Sequence, residues 1–160
     1  MQKVPITKPG FEKLKKDLDH LKRVAVPENI RAIEAARSYG DISENAEYEA
    51  AKTEQSFIQG KIQEIENKLA GSHIIEVKDL TNERIVFGST VTLEDMMRKE
   101  TIEFVLVGPY ESDVNNGKIS VTSPIGKALI GKEVGQEVSV RTPGGLRRFE
   151  VVDIAIRPHR

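Results

Sequence analysis

Two carboxylates three residues apart, Asp41 and Glu44, are the side chains whose type and spacing best suit chemistry in this sequence. They stand with Ser43 in a short break between two long apolar repeats. Carboxylate oxygens are hard ligands of the kind Mg²⁺ prefers, but two of them make an incomplete site, because the ion keeps most of its waters and takes other ligands. The pair therefore suits half of a magnesium site, completed by a partner that already holds a metal.

The same two residues also suit a purely structural role. The spacing Asp41-x-x-Glu44 is that of a capping box, in which Asp41 accepts from a free backbone donor and Glu44 reaches back. Acidic side chains also complement the positive end of a helix dipole. From local rules alone, capping of the second helix is the favoured interpretation and the functional one comes second.

Two other patterns resemble catalytic sites but lack essential parts. The segment Gly126–Lys132 has the glycine and lysine spacing of a phosphate-binding loop, but Glu133 replaces the Ser or Thr that holds magnesium. The strand-loop-helix order of that motif is also missing. His20, His73 and His159 fall in three separate segments, so neither a zinc site nor a serine–histidine–aspartate triad is expected.

The composition narrows the function further. The 160 residues carry 24 Lys and Arg against 25 Asp and Glu, a formal net charge of −1, which disfavours wholesale coating of nucleic acid. The sequence has no cysteine, which excludes a thiolate metal site and suits a reducing cytosol. No apolar run approaches the roughly 20 residues of a membrane span, and the N-terminus lacks a signal-peptide core. A cytoplasmic protein is expected.

Residues 8–71 have the periodicity of two helices. Thr7 and Pro9 suit the start of the first helix, Pro27 is expected to kink it, and Gly40 breaks the pattern. Spacings of three and four predict one coiled-coil seam at Phe11, Leu14, Leu18, Leu21, Ile30, Ile33 and Ala36, and another at Ala51, Gln55, Ile58, Ile62, Ile65 and Leu69. The two seams are expected to bury each other in an antiparallel hairpin with arms about 45 Å long.

Beyond a predicted linker at residues 72–81, the periodicity changes to two. Six runs rich in β-branched residues predict strands at 84–87, 90–94, 101–107, 118–122, 137–141 and 148–156. Ser123 and Pro124 suit the start of one short helix between them. The sequence predicts an α+β protein, with a coiled-coil hairpin at residues 1–75 and an antiparallel sheet carrying a short helix at residues 76–160.

Several stretches together resemble a known family. Gly40-Asp41-Ile42-Ser43-Glu44-Asn45-Ala46-Glu47-Tyr48, with Pro27-Glu28-Asn29-Ile30 before it and Ala50-Ala51-Lys52 after it, is similar to the tip of the bacterial Gre transcription elongation factors. The second half agrees at 87–91, 119–121, 123–125, 129–132 and 142–145. The likeness covers essentially the whole chain. It is closer to the GreA branch than to GreB, mainly because the stretch around Lys52 is only weakly basic.

The resemblance implies an antiparallel coiled coil followed by a domain similar to FK506-binding proteins. It implies an accessory factor, not an enzyme, whose hairpin enters the secondary channel of bacterial RNA polymerase and stimulates the polymerase's own cleavage of backtracked RNA. The implied partners are the polymerase and the backtracked RNA 3′ end, without a membrane or a small-molecule substrate. No cofactor of its own is implied, only Mg²⁺ shared with the polymerase active site.

The resemblance also assigns roles at the tip. Asp41 would help to hold the second, weakly bound Mg²⁺ of the polymerase. Glu44 would position or activate the attacking water, or support the ion through its waters, and Ser43 would be a neighbouring polar support. In a two-metal site the ions stabilise the attacking and leaving oxygens of phosphodiester hydrolysis.

Two further groups of residues match the family. Arg37 and Lys52 match a basic patch that would contact the extruded RNA backbone, although ordinary surface charge is the favoured interpretation without the family. Ser123, Pro124 and Ile125 match a region that docks on the polymerase rim. They also suit a helix start, and both roles are compatible.

Other functions stay open at this point. A relative that occupies the polymerase channel, inhibits transcription and cleaves nothing would differ at the tip, so retention of Asp41 and Glu44 argues against it. A prolyl isomerase would need an aromatic-lined pocket, and fold alone does not confer that activity. A coiled-coil chaperone is disfavoured because nothing apolar is displayed at the tip. Arg147, Arg148 and the basic tail at 157–160 have no assigned role.

Overall fold

The computed structural model describes residues 3–40, 45–76 and 83–156. These residues form two compact units, one within Glu12–Gly71 and the other within Met1–Phe11 and Ser72–Arg160. The first unit is helical and the second carries all the described strands, so the predicted α+β class is confirmed. Residues Met1–Phe11 group with the later residues because Val4–Ile6 pairs with Ser72–Ile74.

The helical region follows the predicted pattern with one irregular turn. Its elements are α1 (Lys8–His20), a π-helical turn (Leu21–Ala25), α2 (Val26–Arg37) and α3 (Ala46–Ala70). Three contacts join the arms on either side of the tip, namely Lys22–Glu66, Asn29–Ala51 and Ala36–Asn45. The numbers of the partners run in opposite directions, so the predicted antiparallel hairpin is confirmed.

The seam of α3 lies where the spacing predicted it. Ala51, Ile58 and Ile65 are buried, and the intervening seam positions Gln55, Ile62 and Leu69 are half-buried. On α2, Ile33 and Ala36 are buried as predicted. The prediction for Ile30 is wrong, because this side chain is 46% exposed and Asn29 is buried in its place.

The π turn places the seam of α2 one position later than an uninterrupted continuation of the α1 repeat would. The backbone N–H of Val26 donates to the carbonyl of Leu21, five residues back instead of four, so the turn contains one extra residue. A repeat of three and four continued from Leu21 and Ala25 would reach 28, 32 and 35, and one inserted residue moves the buried positions to 29, 33 and 36. The interruption expected at Pro27 thus takes the form of this turn.

The second unit contains two sheets. The strands are β1 (Val4–Ile6), β2 (Ser72–Ile74), β3 (Thr90–Asp95), β4 (Glu100–Val107), β5 (Lys118–Ser120), β6 (Glu137–Thr142) and β7 (Gly145–Ala155), and the short helix α4 is Pro124–Leu129. The larger sheet has the order β5-β4-β3-β7-β6, with every neighbouring pair antiparallel except β4 and β5. Strands β1 and β2 form a separate parallel pair.

Some predictions about this unit are wrong. Residues 84–87 do not form a strand. Instead, the fully buried Ile85 exchanges backbone hydrogen bonds with Gly131 and Lys132, at 2.8 and 2.9 Å. Residues 72–74 form β2, not a linker, while 77–81 of that predicted linker lie outside the described residues. The sheet is not wholly antiparallel, because β4 and β5 pair in parallel.

The hydrophobic core of this unit lies between the larger sheet and α4. Val91, Leu93, Leu106 and Phe149 are fully buried on the sheet, and Leu129 packs onto them from α4. The predicted helix on one face of the sheet is confirmed. Burial of this apolar surface is the main favourable term for folding the unit.

A glycine allows α4 to lie close to strand β5. An ideal Cβ at Gly126 would overlap the carbonyl oxygen of Ser120 and lie 3.0 Å from its carbonyl carbon. Ser123 begins the helix as predicted, because its Oγ accepts from the backbone N–H of Gly126 at 3.1 Å and donates to the carbonyl of Ser120 at 2.6 Å. The start of α4 is therefore held at a fixed position on the sheet.

A carboxylate fastens the first residues of α1 within the same unit. Thr7 begins the helix as predicted, because its Oγ1 accepts from the backbone N–H of Gly10 at 3.1 Å. Glu111 then accepts from the backbone N–H of Thr7 at 2.7 Å, from the hydroxyl of Thr7, and from the N–H of Gly108 at 3.3 Å. The side chain of Glu111 thus holds the residues at the start of α1 within this unit.

Candidate functional site at the hairpin tip

The predicted site residues Asp41, Ser43 and Glu44 lie outside the described residues. The structure describes the two chain ends that flank them. On one side, α2 ends at Arg37 and is followed by a turn that reaches Gly40. On the other side, α3 begins at Ala46.

Hydrogen bonds from Ser38 complete the last turn of α2. The backbone N–H of Ser38 donates to the carbonyls of Glu34 and Ala35, both at 3.2 Å, and its hydroxyl donates to Ala35 at 2.6 Å. Gly40 then adopts φ +94°, the left-handed region that favours glycine. The break predicted at Gly40 is confirmed, because α2 ends at Arg37.

The N-cap of α3 is Asn45, so the prediction that Asp41 caps this helix is wrong. The Oδ1 of Asn45 accepts from the backbone N–H of Tyr48 at 3.1 Å, in the first turn of α3. Its Nδ2 donates to the carbonyl of Ala36 at 2.6 Å, on the other arm. Asparagine is among the preferred N-cap residues, and this signal was present in the sequence behind the longer Asp41-x-x-Glu44 pattern.

The two predicted basic residues lie on different arms of the hairpin. Arg37 is the last residue of α2, and its guanidinium lies 5.8 Å from the ring centre of Tyr48 on α3, a cation–π contact. Lys52 lies in the second turn of α3 and donates to Gln55 at 2.8 Å. Both cations are exposed. Sequence reasoning gave no role to Tyr48, which connects Arg37 to the opposite arm.

The predicted docking segment forms the start of α4. Pro124 is exposed, whereas Ser123 and Ile125 are half-buried. The hydroxyl of Ser123 is already engaged by the helix cap and by Ser120. The helix-start role of this segment is therefore confirmed, and Pro124 is its most outward side chain.

Arg147, which the sequence left without a role, has a structural one. Its Nη2 donates to Oδ2 of the buried Asp95 at 2.9 Å, and its guanidinium lies 4.8 Å from the ring centre of Phe149. The hydrogen bond from Arg147, with the backbone N–H of Arg98, holds the pKa of Asp95 below its ordinary value. Arg148 contacts Glu137 at 3.3 Å on the exposed surface. The tail at 157–160 lies outside the described residues.

The segment that resembles a phosphate-binding loop has a different order of elements in the structure. Residues 126–129 lie inside α4 and 130–132 follow it, so the helix precedes the loop instead of following it as in a phosphate-binding loop. Within 3–40, 45–76 and 83–156, no three or more His, Asp or Glu side chains are placed to hold a metal ion. Over the same ranges, no helix is long and apolar enough to cross a membrane.

The fold and the tip together define a class: a two-unit α+β protein in which a helical hairpin carries an acidic segment at its turn. The chain matches the family model described as "Transcription elongation factor, N-terminal" over residues 4–74. It also matches the model "Transcription elongation factor, GreA/GreB, C-term" over residues 80–156. The chain therefore belongs to the GreA/GreB family of transcription elongation factors.

Individual relatives extend over nearly the full length. The chain is 61% identical over 158 residues to "Transcription elongation factor GreA" of Syntrophus aciditrophicus, covering 99% of this chain and 98% of the relative. It is 56% identical over 154 residues to the protein of that name from Syntrophobacter fumaroxidans, covering 96% and 99%. Among solved structures, the GreA factor homolog 1 (Gfh1) protein of Thermus thermophilus is 35% identical, covers 96% and 99%, and has a TM-score of 0.43.

Proposed function

We propose that this chain binds bacterial RNA polymerase, inserts its hairpin into the secondary channel, and stimulates the polymerase to cleave backtracked RNA. Cleavage creates a new RNA 3′ end in the polymerase active site, so that an arrested complex resumes elongation. The chain acts as an accessory factor that supplies side chains to the catalytic centre of another enzyme. Its place of action is that of its partner, the cytoplasm.

The observation that carries this proposal is the cap of α3. Asn45 satisfies the helix N-terminus, so the hairpin does not need Asp41 or Glu44 for capping. Since capping of α3 does not require them, we assign Asp41 and Glu44 to the function. Carboxylates are costly to keep together unless a cation or a partner offsets their repulsion.

The donor set at the tip fits a shared Mg²⁺, not a resident one. Two carboxylates provide hard oxygens but too few ligands for a site of their own, so the polymerase would supply the remainder. Asp41 would bind the ion, Glu44 would orient the attacking water or hold the ion through its waters, and Ser43 would support them. When bound there, the ion would supply charge stabilisation for the attacking and leaving oxygens of the phosphodiester.

Two described features support contacts outside the tip. Arg37 and Lys52 present exposed cations on the two arms close to the tip, and we assign them to the backbone of the extruded RNA. The exposed Pro124, with Ser123 and Ile125, is assigned to docking on the polymerase rim. Its fixed position on the sheet suits a docking surface, because a rigid contact loses less entropy on binding.

The test uses arrested elongation complexes that carry RNA labelled at the 5′ end. Addition of the protein with Mg²⁺ is expected to shorten the transcripts, and later addition of nucleotides is expected to extend them. Asp41→Asn is expected to bind polymerase and fold as the wild type does, while stimulated cleavage collapses. Inhibition of elongation without any RNA shortening would instead identify a channel-occupying inhibitor and refute the proposal.

A further inference from the structure

The side chain of Asn45 holds both arms of the hairpin at the base of the tip. Its Oδ1 accepts from the backbone N–H of Tyr48 on α3, and its Nδ2 donates to the carbonyl of Ala36 on α2. A side-chain amide can do both at once because it carries a donor and an acceptor. The bond to Ala36, at 2.6 Å, is the shorter of the two.

The partner on α2 is a firmly placed residue. Ala36 is 2% exposed and belongs to the packed seam, so its backbone cannot shift without disturbing the contact between the helices. Its carbonyl lies in the last turn of α2, where intrahelical donors run out, and it also accepts from the N–H of Tyr39 at 3.2 Å. The Asn45 amide therefore ties the first residue before α3 to the last buried residue of α2.

These two residues bracket the segment that carries the acidic pair. In the sequence, Asp41 and Glu44 both lie between Ala36, the last buried residue of α2, and Asn45, the N-cap of α3. Fixing the distance between the two chain ends limits the arrangements available to a short connection. A donated carboxylate must be placed to within a fraction of an ångström to act on a shared metal ion, so such a limit has catalytic value.

We propose that Asn45 is a positioning residue for stimulated cleavage, acting through its hydrogen bond to Ala36 and not through its cap of α3. The inference rests on the proposed function and adds a residue to it. The cation–π contact between Arg37 and Tyr48 also joins the arms near the tip, but Arg37 is exposed and its long side chain fixes the geometry less tightly. The amide clamp is the shorter and more directional of the two links.

Two variants separate the clamp from the cap. Asn45→Ser keeps an oxygen that accepts from the backbone N–H of Tyr48, because serine is as good an N-cap as asparagine, but its short hydroxyl does not span to Ala36. Asn45→Ala removes both bonds. If the clamp is what matters, the two variants lose a similar share of cleavage, although only the alanine variant loses the cap.

A matched control is available on the same hairpin. Asn29 also joins the two helices through its Nδ2, which donates to the carbonyl of Ala51 at 2.9 Å, but it lies two helical turns further from the tip. Asn29→Ser removes that cross-arm bond without touching the base of the tip. It is expected to lower the melting temperature of the hairpin and to leave the maximal rate of cleavage unchanged.

The measurement is single-turnover cleavage of backtracked complexes at increasing concentrations of factor and, separately, of Mg²⁺. Asn45→Ser is expected to lower the cleavage rate at saturating factor about fivefold. This is the rate change that corresponds to the net contribution of one hydrogen bond. The factor concentration at half-maximal rate stays unchanged, and the Mg²⁺ concentration needed for half-maximal rate rises. A residue with a merely structural role would change neither the saturated rate nor the Mg²⁺ requirement.

The outcomes are distinguishable. If the wild-type chain fails to shorten RNA, the proposed function fails and this inference fails with it. If the wild type cleaves and Asp41→Asn does not, while Asn45→Ser matches the wild type in saturated rate and Mg²⁺ requirement, this inference alone is overturned. Equal loss in Asn45→Ser and Asn29→Ser also overturns it, because general loosening of the hairpin would then be the cause.

Discussion

The close approach of α4 to strand β5 makes Gly126 a position where helix propensity and packing predict opposite results. Gly126→Ala should stabilise an exposed helix by about 1 kcal/mol, because alanine has the higher helix propensity. Here the new methyl group would overlap the carbonyl oxygen of Ser120. That oxygen belongs to the backbone and already accepts from the N–H and the hydroxyl of Ser123, at 3.0 and 2.6 Å, so it cannot turn away.

The magnitude follows from these two opposing terms. Overpacking in a close-packed region costs about 1–3 kcal/mol, and a rigid backbone obstacle puts Gly126→Ala at the upper end. Subtracting the gain in helix propensity leaves a net loss of about 2 kcal/mol in the free energy of unfolding. For a unit of this size, that corresponds to a fall in melting temperature of about 10 °C.

Gly60→Ala is the matched control, because Gly60 is an exposed position inside α3. Apart from Gly60 itself and its neighbours along α3, no described atom lies within 4 Å of an ideal Cβ at this position. The substitution is expected to stabilise α3 by about 0.5–1 kcal/mol. Hydrogen exchange followed by mass spectrometry reads the two units separately, with peptides from β3 and β7 for one and from α3 for the other. If Gly126→Ala left exchange in β3 and β7 unchanged or slower, the argument from the close approach would be refuted.

Two further predictions concern burial and charge. Ile58 is 4% exposed, so Ile58→Ala is expected to lower the free energy of unfolding of the hairpin by about 2–5 kcal/mol. Ile30 is 46% exposed, so Ile30→Ala is expected to lower it by under about 1 kcal/mol. Helix melting measures both losses, and equal losses would contradict the burial pattern of the seam. The bond from Arg147 lowers the pKa of Asp95, so its stabilising contribution is present above the ordinary aspartate pKa of about 4 and is lost as pH falls through the lowered value. Asp95→Asn is therefore expected to be less stable than the wild type at neutral pH and to lose less stability on acidification. Urea titrations from pH 7 to 2.5 measure both effects. If the variant lost as much stability on acidification as the wild type, Asp95 would not be a source of the acid sensitivity.

The sequence predicted features that depend on local periodicity. The seam of α3 follows from spacings of three and four alone, and the burial of Ile58 and Ile65 confirms it. The helix starts at Thr7 and Ser123 follow from capping chemistry, and both hydrogen bonds are present. Such patterns can be recognised in a sequence because the interacting residues lie within one or two helical turns of each other.

The features that sequence reasoning missed depend on residues far apart or on competing local patterns. Strands β1 and β2 are three residues each, too short for a period, and the whole helical region separates them in the sequence. The partner of Arg147 is Asp95, 52 residues away, which no local spacing could indicate. At the tip, the sequence offered two N-cap candidates for α3. Asp41 was preferred because Asp41-x-x-Glu44 matches the two-residue capping box, whereas Asn45 matches only the single-residue preference for an N-cap.

Pro27 gives a reason for the position of the extra residue in the π turn. Proline crowds the carbonyl four residues before it and costs about 3 kcal/mol inside an α-helix. A widened turn immediately before Pro27 relieves that crowding while it shifts the seam by one residue. If both effects have one cause, removing the extra residue should be costly only while the proline is present.

A double-mutant cycle tests this link between the proline and the π turn. Deletion of Val24, an exposed residue inside the turn, is expected to destabilise the hairpin by about 3 kcal/mol, because an uninterrupted α-helix would pass through Pro27. Pro27→Ala alone should change little, since the seam of α2 still requires the inserted residue. Combining the two should recover most of the loss, because positions 28, 32 and 35 of the shortened chain then continue the repeat of α1. Melting of the hairpin measured by circular dichroism gives the coupling energy, and a value near zero would show that the turn and the proline are independent.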